Sequence, residues 1–177
     1  MSRSTLLASA LGLAGALVCL GASTGCVILG TPDGSTLTTV VGPPSGVDFK
    51  PVGLYVVHRC GSLDCHGEVG RNMRIYGEYG LRLDDAGSPN GGLTTADELT
   101  ADYQTIVSLE PEIMSEVVQS GGANPFDLTF IRKPTAVEHH KGGQLITSAT
   151  DPQFLCLTSW LASNVDKTSC SAALATW

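Results

Sequence analysis

No cluster of lysine or arginine interrupts this chain, and that absence excludes most electrostatic partners at the outset. The formal net charge is −7, and it becomes −8 once the leading Arg3 is set aside, with nine basic side chains against seventeen acidic ones. An acidic chain without a basic stripe lacks the charge that condenses on nucleic acid or docks on anionic lipid. The short signatures of hydrolytic and phosphoryl chemistry are missing too: no G-x-S-x-G turn, no H-E-x-x-H pair and no glycine-rich phosphate loop. Asp84-Asp85 and Glu110-Pro-Glu112 come nearest to paired carboxylates, and both read as turn or helix-start charges. No internal repeat and no long low-complexity tract occurs. The apolar run from Leu6 to Leu20 is too short, and too closely followed by Ala22-Ser-Thr-Gly25, to be read as a membrane span.

What is present begins with an export signal. Arg3 is the only charge before the apolar run, and small residues then lead to Cys26, so residues 1–25 are read as a leader and the chain as exported. Cys26, preceded by Ser-Thr-Gly, resembles the lipidated cysteine of a bacterial lipoprotein, which implies a periplasmic or outer-membrane location and a membrane contact made through lipid. Ordinary cleavage near Ala22 is the plainer alternative. Residues 26–48 carry little charge, no sustained periodicity and the breakers Thr31-Pro-Asp-Gly-Ser35 and Gly42-Pro-Pro-Ser-Gly46, as a flexible tether would. Residues 49–177 remain, enough for one domain with its own core.

Helix signals dominate that domain, so the expected class is mostly α, a small single domain with long loops. Pro51 suits a first helical turn, and Val52, Tyr55 and Val56 fall on one face leading into Cys60. Thr95-Ala-Asp-Glu98 is a capping-box pattern, followed by Leu99, Tyr103, Ile106 and Val107 at the spacing of a buried helical face. Pro111 should open another helix through Ile113, Met114, Val117 and Val118, with Gly121-Gly122 ending it. Asp151-Pro152 is the strongest helix start, with Phe154, Leu157 and Leu161 facing inward and Trp160 beside them. Residues 71–83 read as extended or loop segments.

Of six cysteines, four belong to the domain, and an oxidising compartment should not leave them idle. A disulfide between Cys156 and Cys170 would tie the last segment to the final predicted helix. Closing a loop of about 15 residues is worth roughly 3 kcal/mol in the chain-entropy model. The other pair lies in His58-Arg-Cys-Gly-Ser-Leu-Asp-Cys-His-Gly67, where Cys60, Cys65 and His66 form a C-x4-C-H pattern. Three chemistries fit it. Two thioether links could carry a haem with His66 on the iron; Cys60 and Cys65 could close a local disulfide; or the set could hold zinc together with His58. A haem iron would take its sixth ligand from His140, His139, Met114 or Met73, and Arg71, Arg74, Arg132 and Lys133 are candidate partners for propionates.

The stretch Cys60-Gly-Ser-Leu-Asp-Cys-His-Gly67 resembles the C-N-x-G-x-C-H-G motif of the cytochrome c-like domains in large planctomycete-type exported proteins, which have the same four-residue gap. Lys133-Pro-Thr-Ala-Val-Glu-His-His-Lys-Gly-Gly143 is similar to their K-P-T-x-x-x-P-H-G-G-G stretch, and the helix ending in Trp160-Leu161 to their final L-x-x-W-I helix. The three matches keep the family's order over roughly residues 54–162. Compact myxobacterial-type lipoproteins with C-G-S-L-D-C-H-G are similar as well. The resemblance implies a small cytochrome c plan, in which the helix before Cys60 packs near the helix of Phe154 to Leu161. It implies covalent haem c on Cys60 and Cys65, with His66 as proximal and His140 as distal ligand. The chain would then be an electron carrier with a redox partner protein rather than an enzyme. Two positions depart from the pattern, His139 in place of a proline and Lys141 in place of the first of three glycines. The rival expectation is a haem-free structural or interaction lipoprotein stapled by disulfides 60–65 and 156–170. A third is a haem sensor or peroxidase with an open distal site.

Overall fold

The structure, a computed structural model, describes residues 42–84 and 92–176, all within the unit Thr39–Trp177. The leader, Cys26 and most of the tether lie outside the described residues. The chain is mostly α: six α-helices and one short 3-10 turn, with no β-strand among the described residues and a single isolated bridge between Tyr76 and Leu81. No helix among them is long and apolar enough to cross a membrane.

Helix α1 (Lys50–Cys60) carries Pro51 in its first turn and buries Val52, Tyr55, Val56 and Val57. His58 and Arg59 occupy its last turn, where cations suit the helix C-terminus. Helix α2 (Ala96–Val107) starts with the full capping box: the Glu98 amide donates to Thr95 Oγ1, and the Thr95 amide to the Glu98 carboxylate. Helix α3 (Pro111–Gln119) stops at Gly121 and Gly122, both at positive φ. A 3-10 turn (Pro125–Asp127) and the one-turn helix α4 (Thr129–Arg132) follow. Helix α5 (Pro152–Leu161) is capped by Asp151, which accepts from the Gln153 amide. Residues 71–83 are irregular apart from the bridge, as expected.

Helix α6 (Lys167–Ala175) extends the expected plan. Its Asp166 cap accepts from the amides of Thr168 and Ser169. A disulfide joins Cys156 to Cys170 and fastens α6 to α5. Helix α1 packs against both of them and against α2. Trp160 anchors this centre at 1% exposure, with the Phe49 ring 5.1 Å away and that of Tyr103 at 6.3 Å.

Within the segment assigned to the tether, Pro44 and Ser45 are fastened to the domain, while residues 45–48 are exposed. Pro44 is buried; its carbonyl accepts from the Tyr103 hydroxyl at 2.9 Å, and the Ser45 carbonyl from Trp160 Nε1 at 3.3 Å. Proline-rich backbone offers carbonyls with few competing amides, and two aromatic donors at the rim of the core take them.

Candidate functional site

Helix α1 delivers Cys60 as its last residue, and the chain then turns back sharply. The His66 amide donates to the Cys60 carbonyl at 2.9 Å, while the Cys65 and Gly67 amides both reach the Ser62 carbonyl. The four residues between the cysteines therefore close into a compact turn that sets His66 back over the end of α1. Cys60 and Cys65 are both free thiols. Burial first, and the neighbouring Cys65 second, push the Cys60 thiol up to about 12, so it stays protonated at neutral pH.

His66 is fixed by the segment that follows it. Its Nδ1 lies 2.8 Å from the Met73 carbonyl, and the Ile75 amide donates to the His66 carbonyl at 2.9 Å. A carbonyl only accepts, so Nδ1 carries the proton and Nε2 keeps its lone pair. Burial holds the imidazole below its ordinary range, against the bond to Met73, with His140 and Arg71 adding to the lowering.

His140 reaches the same place from the 138–143 loop. Its Nδ1 lies 3.0 Å from the Gly143 carbonyl, and the Gly143 amide donates back to the His140 carbonyl at 2.9 Å. This tight turn needs Gly143 at φ 76°. The ring centres of His66 and His140 are 6.2 Å apart and their planes differ by 18°. Two metal–imidazole bonds of about 2 Å, with about 1 Å from each nitrogen to its ring centre, place a pair of axial rings roughly 6 Å apart. The ring-centre separation of His66 and His140 is of that size, and each ring carries on Nδ1 the kind of backbone bond that fixes a ligating imidazole.

Two cavities flank this pair, of about 400 and 630 Å³, and both are bounded by Cys60, His66 and His140. The smaller is walled by Tyr55, Val56, Phe130 and Leu157. Tyr55 is 2% exposed and its hydroxyl donates to Gln153 Oε1 at 3.0 Å. The larger collects all four histidines of the chain, with Cys65 and the cations Arg59 and Lys141. Arg71 and Lys133 line both.

The other sequence candidates are placed differently. Met114 is a core residue of α3 at 1% exposure, outside both cavities. Met73 lines the smaller cavity, with its carbonyl committed to His66. His139 is exposed and lines only the larger one. Arg132 is engaged by Glu138 at 3.1 Å and Glu110 at 3.7 Å, and Arg74 by the Val69 carbonyl at 2.6 Å, so neither turns to the cavities. Among the described residues no group of three or more His, Cys, Asp and Glu side chains converges on a metal-ion position. The zinc arrangement of Cys60, Cys65, His66 and His58 is therefore not assembled.

Sequence reasoning passed over Tyr55, Arg59 and Lys141 as cavity residues. Arg59 had a signal, its place next to Cys60, whereas Tyr55 read simply as core. No family model, no curated protein and no solved structure matches the chain.

Proposed function

We propose that this chain is an exported, lipid-anchored, c-type cytochrome-like protein that binds one covalent haem for electron transfer. The observation that carries the reading is the pair of near-parallel imidazoles, His66 and His140, with ring centres 6.2 Å apart and each with Nδ1 on a backbone carbonyl. Bound there, a haem would supply a one-electron iron couple. His66 and His140 are the residues that would hold its iron, and two neutral nitrogen ligands would favour a low-potential centre. Cys60 and Cys65, both free thiols, would hold the group covalently, each by addition of its S–H across a vinyl double bond, which would change no net oxidation state. Tyr55, Val56, Phe130 and Leu157 keep water from one side, and Arg71 and Lys133 offer cations to carboxylates at the mouth. Lipid on Cys26 holds the domain to a membrane, where it meets a redox partner protein.

The test is expression in an export host with haem-maturation machinery. The product should be red, keep its Soret band after acid–acetone extraction and show haem and lipid together in its intact mass. Cys60→Ser with Cys65→Ser should release the pigment, and His140→Ala should turn low-spin iron high-spin. A colourless product with a mapped Cys60–Cys65 disulfide would overturn the reading in favour of a stapled, haem-free lipoprotein. High-spin iron in the unaltered protein that binds added ligands would instead mark an open distal site.

A further inference from the structure

The inward face of α2 carries two carboxylates, and both hold the segment that orients His66. Glu98, with its side chain 3% exposed, is paired with Arg82 at 2.6 Å and also receives the Leu83 amide at 3.4 Å. Asp102, one turn on, is fully buried and accepts the Tyr76 amide on Oδ1 at 2.7 Å. Its Oδ2 is buried without a hydrogen-bond partner among the described residues. The segment so held supplies the Met73 carbonyl to His66 Nδ1 and the Ile75 amide to the His66 carbonyl, three residues and one residue before Tyr76.

We propose that Asp102 is a positioning residue for His66, acting through the backbone of residues 73–76, and that gain or loss of one proton at Asp102 resets the grip on that ring. An ionised carboxylate is the stronger acceptor, so deprotonation tightens the bond to the Tyr76 amide and steadies the Met73 carbonyl against Nδ1. A firmer bond at Nδ1 makes Nε2 more basic, and the buried negative charge acts in the same sense. The geometry is set for titration near neutrality: burial, opposed by the Tyr76 bond and helped by Glu98, raises the Asp102 carboxyl to about 7. The charged group acting on Asp102 is Glu98 on the same helix; on the packed segments Arg82 pairs with Glu98, Arg74 donates to the Tyr76 hydroxyl, and the His58 ring of α1 meets that of Tyr79 edge-on at 5.1 Å. The latch is independent of any cofactor, and only its effect on iron rests on the haem reading.

The experiment follows the full exported chain by NMR from mildly acidic to mildly alkaline pH, reduced to the diamagnetic state if it is red and as isolated if it is not. The Asp102 carboxyl, Tyr76 amide and His66 ring signals should move together with one midpoint near 7. In Asp102→Asn, which keeps the acceptor for Tyr76, the latter two should lose the transition near 7, leaving His66 only its own protonation at lower pH. His58→Asn should leave the common titration in place, a test that stands whether or not the Asp102 variant folds. In red protein the midpoint potential should fall as pH rises through the same midpoint, and lie flat in Asp102→Asn. Absence of an Asp102 titration near neutrality, or Tyr76 and His66 signals that titrate unchanged in Asp102→Asn, would overturn the proposal. Colour judges the haem reading separately, since a colourless chain that shows the common titration keeps the latch and loses the haem.

Discussion

At the Gly61 carbonyl three backbone segments meet, and only glycine allows it. A Cβ on Gly67 would stand 1.9 Å from that oxygen and one on Gly80 2.0 Å from it, while the Leu81 amide donates to the Gly67 carbonyl at 2.9 Å. The obstructing atoms are backbone, so no side-chain rotation relieves them. Gly67→Ala or Gly80→Ala should therefore cost more than about 3 kcal/mol, the upper end for overpacking, with both variants loosening the His66 turn. Gly121 is the control: its φ is 68° but its Cβ position is open, so Gly121→Ala should cost only the left-handed backbone, about 1–2 kcal/mol. Urea denaturation of the three variants measures this, and equal losses would sink the steric account. The sequence showed Gly67 only as a member of a motif and Gly80 not at all, because close approach between segments leaves no local signature. Asp102 was overlooked for a related reason. It shares the i, i+3, i+7 stripe of Leu99 and Ile106, yet an acid on a helix is ordinarily assigned to solvent.

Helix α6 shows what an element needs when its own sequence is a weak helix former. Its nine residues bury only Cys170 and Ala173 fully, and isolated helices shorter than about 12 residues are marginal in water. The Cys156–Cys170 bond makes up the difference. Cys156→Ser with Cys170→Ser should cost about 2–4 kcal/mol. Hydrogen exchange should show the loss concentrated in α6, with α1 and α5 keeping their protection. The effect should also reach the smaller cavity, since Gln153 links the Tyr55 hydroxyl to Thr176 Oγ1 just beyond α6. Uniform loss across all helices would contradict this hierarchy. The same contrast explains which elements were legible beforehand. The starts at Thr95 and Asp151 announce themselves because capping is chemistry between residues two or three apart. Helix α6 carries such a cap, Asp166 on Thr168 and Ser169, but its interior of Ser, Cys and Ala lacks the apolar period that would have drawn attention to it. The site lay between these cases: C-x4-C-H is visible as a string, whereas the approach of His140 to His66 depends on tertiary packing that no spacing encodes.

For the molecule as a whole, pH should act on stability through a few buried groups more than through net charge. Asp102 binds its proton more tightly in the folded chain, at about 7 against an ordinary 3.8. Between those values the native state holds more protons than the unfolded one, so this group's contribution falls as pH rises. Its cost grows from about pH 4 and is complete above 7. His66, lowered by burial from 6.5, works in the opposite direction, because its contribution is lost as pH falls below that value. Glu98 resembles His66 in that sense: burial alone would raise it, but the bonds from Thr95, Arg82 and Leu83 outweigh burial and hold it low, so its contribution is present above the usual carboxylate range and is lost in acid. Absolute stability therefore mixes opposing terms, and the difference between Asp102→Asn and the unaltered chain isolates one of them. Each tenfold tightening of proton binding on folding is worth about 1.4 kcal/mol, so the variant should gain a few kcal/mol relative to the unaltered chain between pH 4 and pH 8, as read from urea midpoints at each pH. A difference that stays constant over that range would mean that Asp102 is not a buried, proton-holding acid, and would remove the electrostatic basis of its coupling to His66.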